Sequence, residues 1–200
     1  MDLKENLRKN KKYIKRDVEI LDFIWVGVNS LHIPWWPVCE LSANKNDTNL
    51  CPILPGLMKD ENGNFSTKLK YSMHLELLDM YEKHREGLLS GALWKGTKYC
   101  RLHRSYRDNG IDASVRTDEW IKYKIERIIA VYESLKRDGY HYETENFFSV
   151  LEKPLGWYYG KRDEIDGYEI YDGSHRAAGL YKIGYSKIKA VLVRPGKAAR

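Results

Sequence analysis

Near residue 146 the hydrophobic period of this chain changes. Upstream, apolar residues recur at intervals of three and four; downstream they gather into short runs punctuated by glycine, as strands do. Lys68–Leu89 carries Leu69, Met73, Leu77, Met80, Tyr81, His84 and Leu88 on one helical face, with His84 expected at the edge of the core. Thr117–Arg137 repeats the pattern with Ile121, Ile125, Ile128, Ile129, Tyr132 and Leu135. Thr117 is placed to cap that helix, Asp118 and Glu119 suit its positive end, and Lys136, Arg137 and Gly139 suit its other end. Downstream, Phe147–Glu152, Gly167–Tyr171 and Lys187–Val193 read as strands, with Lys153–Asp166 as the loop of a hairpin. Ser174–Ile183 reads as a short helix ended by Gly184. Together these elements require an α+β fold, a small mixed sheet with flanking helices.

The first hundred residues are less regular. Leu3–Trp25 reads as a helix, basic in its first half and apolar in its second. The prolines of His32-Ile33-Pro34-Trp35-Trp36-Pro37 forbid a continued helix, and Ser42–Asn64 reads as a long loop. The expected organisation is therefore a largely helical N-terminal extension over residues 1–115, followed by a compact core over residues 116–200.

A formal net charge of +6 and a pI near 9.0 favour anionic partners: nucleotides, phosphorylated sugars or nucleic acid. Lys4, Arg8, Lys9, Lys11, Lys12, Lys15 and Arg16 would suit either a solvated helical face or a nucleic-acid arm. No run of about eighteen apolar residues is present, so no membrane association is expected, and the charged start lacks a secretory pattern. Cytoplasmic residence follows as the expectation. Cys39, Cys51 and Cys100 lack paired metal-ligand spacing and read as reduced structural thiols.

Candidate chemistry sits where the strand ending at Tyr171 meets the helix beginning at Ser174. Exposed backbone N–H groups and the dipole at a helix start attract phosphate. Gly173 lets the chain turn and approach a ligand closely, and Ser174 is suited to cap the helix. Arg176 can make bidentate bonds to phosphate oxygens. His175 can donate to phosphate or, when neutral, take up a proton. Asp172 can hold a metal ion carried by a nucleotide or act as a base on a hydroxyl. A second cluster lies in Lys95–Gly110, where His103, Arg104, Arg107 and Asp108 would hold a hydroxylated or phosphorylated substrate, or belong to a solvated basic loop. Trp157, Tyr158, Tyr159, Lys161 and Arg162 would cover a base or sugar ring, or simply pack the hairpin.

The run Asp172-Gly173-Ser174-His175-Arg176-Ala177-Ala178-Gly179-Leu180-Tyr181-Lys182-Ile183-Gly184, then Ile188–Val193, resembles the signature of the ParB/sulfiredoxin superfamily. Ile129–Tyr140 is similar to the helix that precedes it there, and the likeness covers residues 117–194. The resemblance implies a ParB/sulfiredoxin-like core that binds nucleotide. Sulfiredoxins need cysteine where Ser174 stands, so thiol repair of sulfinic acid is not expected. Only Pro195–Arg200 follow the last strand, too few for the helix-turn-helix domain of chromosome-partitioning members. The D-G-x-H-R form is similar to the small-molecule kinases of the superfamily. By that likeness Gly173, Ser174, His175 and Arg176 would bind the phosphates of ATP or ADP. Asp172 would hold Mg²⁺, and Asp172 or His175 would serve catalysis on a hydroxyl of a small molecule or glycan. The alternative implied is a ParB-like nucleotide switch or DNA-associated protein without phosphotransfer; a nuclease, lacking clustered carboxylates, ranks below both.

Overall fold

A computed structural model describes residues 18–33, 57–110, 112–141, 148–153 and 165–195. Within them the chain forms a five-stranded mixed sheet and four α-helices. The strands are β1 (Val18–Gly27), β2 (Leu31–His32), β3 (Ser149–Leu151), β4 (Tyr168–Asp172) and β5 (Lys187–Pro195). The helices are α1 (Met73–Ser90), α2 (Lys98–Asp108), α3 (Asp118–Asp138) and α4 (Ser174–Ile183).

Sheet order is β1-β5-β3-β4-β2. β1 runs antiparallel to β5, β5 parallel to β3, β3 antiparallel to β4 and β4 parallel to β2. Side-chain alternation along β5 shows the two faces. Ile188 and Ala190 join the main core beneath the helices, whereas Val191 and Val193 join Leu151 in a smaller cluster on the other side.

The expected helix over Leu3–Trp25 is corrected here: Val18–Gly27 is a strand, and residues 3–17 lie outside the described residues. The register slips between Ile20 and Asp22, where β1 holds one residue more than β5. A bulge of this kind shifts the phase of the inward and outward positions, so Val-Glu-Ile-Leu-Asp-Phe-Ile-Trp loses the strict alternation that identifies a strand. The sheet therefore takes strands from both sides of position 115, and one core cluster joins Val26, Leu31 and Leu78 to Ile128, Ile170 and Ile188.

α3 is the element whose sequence signals agree most fully. Thr117 accepts a hydrogen bond from the Trp120 N–H at 3.2 Å, and the Gly139 N–H closes the far end on the Leu135 carbonyl. Ile121, Ile125, Ile128, Ile129 and Tyr132 are all buried. Ile128→Ala is expected to destabilise the fold by about 2–5 kcal/mol, the range for emptying a packed aliphatic site. Urea unfolding measures the loss.

α1 starts later than its apolar stripe, after a 3₁₀ turn at Leu69–Tyr71, with Ser72 as its cap. His84 is exposed, not packed at a core edge, because regular helical dihedrals break at Arg85 and the stripe loses phase there. α2 replaces the loop alternative for residues 95–110. Thr97 caps it by accepting from the Cys100 N–H at 3.1 Å, and Tyr99, Cys100, Leu102 and Tyr106 form its buried face. Lys182 on α4 pairs with Asp79 and Glu82 on α1, and Glu82 also accepts from the Tyr132 hydroxyl on α3. That Tyr132 bond and Lys182 together hold the Glu82 carboxyl at about 2. Among the described residues no helix is long and apolar enough to cross a membrane.

Candidate functional site

β4 ends at Asp172, and α4 begins two residues later. Gly173 between them is left-handed (φ 99°, ψ 22°) and occupies the N-cap position, with no side-chain cap bond. Ser174 is thus the first helical residue, not the cap expected of it. Glycine is needed at 173 for conformation and for space. A Cβ there would lie 2.9 Å from the Phe148 ring and 3.1 Å from the Arg176 guanidinium. Arg176 folds back along this turn, with Nη2 3.7 Å from Asp172 Oδ2. Asp172 itself is 44% exposed at the lip of the site.

His175 turns the other way, into a cavity of about 240 Å³. Its polar wall is His74 from the start of α1, Tyr99, His103 and Tyr106 from α2, and Ser174 and His175 from α4. Ile33, Met58, Met73 and Leu102 form the apolar lining. The His74 and His175 rings lie 5.2 Å apart, and Tyr99 stands 5.6 Å from His74 and 4.5 Å from His103. Helix dipole, imidazoles and phenols thus meet at one place, supplied by three helices.

The three imidazoles are neutral at pH 7. Burial drives His175 down to about 4, with Lys124 and Arg127 of α3 adding to the effect. Burial and then the Arg116 charge drive His103 to about 3. Burial, His175 and His103 hold His74 well below its ordinary value. Arg116 donates to His103 Nδ1, so that nitrogen is the acceptor and the ring proton sits on Nε2. Arg116 is fixed by Asp112 at 3.1 Å and lies over the Tyr106 and Trp120 rings.

Of the four residues expected to hold substrate, only His103 lines the cavity. Arg104 and Arg107 both bond Asp118 at the start of α3, with contacts of 3.1 Å and 3.0 Å, and these hydrogen bonds, that of Arg104 first, hold the Asp118 carboxyl below its usual range. Asp108 is exposed and pairs with Arg107 at 3.3 Å. The helix explains the division: on α2 residues 104, 107 and 108 lie on a different flank from 99, 103 and 106. Asp118→Asn is expected to lower stability by about 1 kcal/mol, the scale of a partly exposed ion-pair network, and thermal melting would measure it.

Cys100 is a buried free thiol, while Cys39 and Cys51 lie outside the described residues. So do Trp157, Tyr158, Tyr159, Lys161 and Arg162, and the basic positions 4–16. Among the described residues no group of three or more His, Cys, Asp or Glu side chains is arranged to hold a metal ion. Mg²⁺ bound through substrate phosphates needs only one or two protein carboxylates, and Asp172 at the lip fits that modest demand.

Sequence reasoning missed His74, Arg116, Lys124 and Arg127. A signal existed for the last three: with Trp120 they recur at spacings of four, four and three, one flank of α3 and its approach. His74 sits inside the apolar run Met73-His74-Leu75, and nothing in the chain marks it as lining a site. Comparison with protein-family models, with curated proteins and with solved structures finds no match to this chain.

Proposed function

We propose that this protein is a nucleotide-dependent phosphotransferase, moving a phosphoryl group from ATP or ADP to a hydroxyl of a small molecule or glycan. The observation that carries the reading is the left-handed Gly173 leading from β4 into an α4 N-terminus that has no side-chain cap, with Arg176 in its first turn. The N–H groups of Ser174, His175 and Arg176 would take phosphate oxygens, and the Arg176 guanidinium would add a charge-assisted pair. Lys124 and Arg127 bring further positive charge to His175 from α3. The likeness of Asp172–Arg176 to the D-G-x-H-R kinases of the ParB/sulfiredoxin superfamily supports the same assignment.

Asp172 is the base in this scheme. A histidine held near 4 is a poor proton acceptor at neutral pH, and the His175 ring faces the cavity, so His175 would contribute its backbone N–H and not a base. Mg²⁺ carried on the phosphates and touched by Asp172 would neutralise charge developing during transfer. Positioning and charge neutralisation would supply most of the rate.

Isothermal titration with ATP, ADP and CTP in Mg²⁺ tests this. ATP or ADP is expected to bind, and Arg176→Ala to weaken binding by about 10- to 100-fold, the range for a hydrogen-bonded ion pair. Asp172→Asn is expected to fold and bind nucleotide yet lose transfer to any acceptor. A preference for CTP without turnover would favour the nucleotide-switch reading, and no nucleotide binding at all would sink both.

A further inference from the structure

The cavity adjoins the start of α4, its lining leaves out Asp172 and Arg176, and its chemistry is specific enough to name a ligand class. His74 is only 6% exposed, yet its Nδ1 meets no hydrogen-bond partner among the described residues. Burying a polar nitrogen without a partner is unfavourable, and native interiors rarely leave one so. The His74 ring itself is part of the wall of a cavity with room for a small ligand.

We propose that this cavity is a second subsite, which takes the oxyanion end of a small acid, a carboxylate or a phosphate group, between His74, His103 and the first turn of α4. The polarity of the wall supports this. No Asp or Glu lines it. Arg116 occupies His103 Nδ1, so this imidazole offers the cavity only the Nε2–H donor. Ser174 brings a hydroxyl and the positive end of a ten-residue helix. The surrounding charges that act on the imidazoles are mainly cationic: Arg116 and Lys124 on His103, and Lys124, Arg127 and Arg176 on His175, with Asp172 the opposing carboxylate. The polar groups of this wall, in a positive field, match the acceptor end of a ligand whose remainder is apolar.

Size restricts the ligand further. About 240 Å³ falls below the roughly 300–1,000 Å³ of pockets that enclose a whole drug-sized molecule. The space suits a compact acid with a short carbon skeleton against Ile33, Met58 and Leu102. If the phosphotransferase reading holds, this is where the acceptor is anchored, but the subsite stands on its own geometry.

The test uses the full chain with ¹⁵N-labelled histidine, titrated separately with inorganic phosphate, propanoate and glycerol. The expected result is a saturable shift of the His74 and His103 imidazole signals with phosphate or propanoate, the stronger of the two identifying the anion. His74→Gln, checked for an unchanged melting temperature, should weaken that anion by about tenfold or more while ATP binding stays as in the parent. Imidazole signals unmoved by either anion, or moved more strongly by neutral glycerol, would overturn the proposal. So would anion binding indifferent to His74→Gln. Anion binding without any nucleotide binding would remove the phosphotransferase reading and leave this subsite standing.

Discussion

Gly167→Ala is expected to destabilise the protein by more than about 4 kcal/mol, enough to prevent folding of a marginally stable domain. Gly167 immediately precedes β4, at the point where Tyr168 pairs with Leu31 of β2. Its φ is +135°, and an added Cβ would sit 1.9 Å from the Ser30 carbonyl oxygen and 2.8 Å from its carbon. Both are backbone atoms, so no rotamer change relieves the overlap. The strands would have to separate. With them would go the contacts of buried His32, whose ring nitrogens meet Thr67 Oγ1 at 2.8 Å and the Asp166 carbonyl at 3.1 Å. Gly96→Ala is the control, since a Cβ there meets nothing within 4 Å. Urea unfolding of both variants decides the matter: a Gly167→Ala protein within 1 kcal/mol of the parent, on the scale of ordinary surface changes, would refute the packing described for β2 and β4.

Mild acid is expected to unfold the protein. His175 and His103 have folded-state values of about 4 and about 3, both below the ordinary 6.5 of an unfolded chain. The unfolded state therefore takes up protons first as the pH falls. The stability gained from keeping these rings neutral is complete above about pH 6.5 and is lost progressively toward pH 4 and pH 3. Each ring contributes about 1.4 kcal/mol per pH unit within its window, so the two together approach about 3 kcal/mol per unit. Two units of acidification thus remove an amount comparable to the whole stability of a small domain. His74 and His32, lowered mainly by burial, act in the same direction. The depressed carboxyl of Glu82 matters only later, because its window lies between about 4.5 and about 2. Denaturation midpoints at pH 7, 6 and 5 should fall steeply, and His103→Gln should flatten the slope by about 1.4 kcal/mol per unit. A flat profile between pH 7 and pH 5 would mean that the rings are not buried as described.

What the sequence made legible was local. The boundaries of α3 followed from Thr117 at one end and Gly139 at the other, because caps and stripe are neighbours along the chain. The succession of β4, Gly173, α4 and β5 was readable for the same reason. β1 was misread because a single extra residue near Leu21 disturbs the alternation that distinguishes a strand. α2 was left open between loop and substrate segment because its apolar face is narrow and its other faces are charged. The cavity was not legible at all. His74, His103 and His175 belong to three helices, and their meeting depends on how α1, α2 and α4 settle against one another. Periodicity reports which face of an element is buried, and says nothing of which faces come together.

The pairing of β1 with β5 also has a consequence for synthesis. Ile20 lies opposite Val193, so a strand made early must wait for a partner made late. At about 5–20 residues per second the interval is roughly ten to thirty seconds. Throughout it β5 is missing, and Val18, Ile20 and Phe23 have no Val191 or Val193 to pack against. A β-branched, aromatic segment held open that long invites pairing with other chains. For this protein the interval before β5 is made is therefore one of aggregation risk, and faster elongation through residues 30–190 would shorten it.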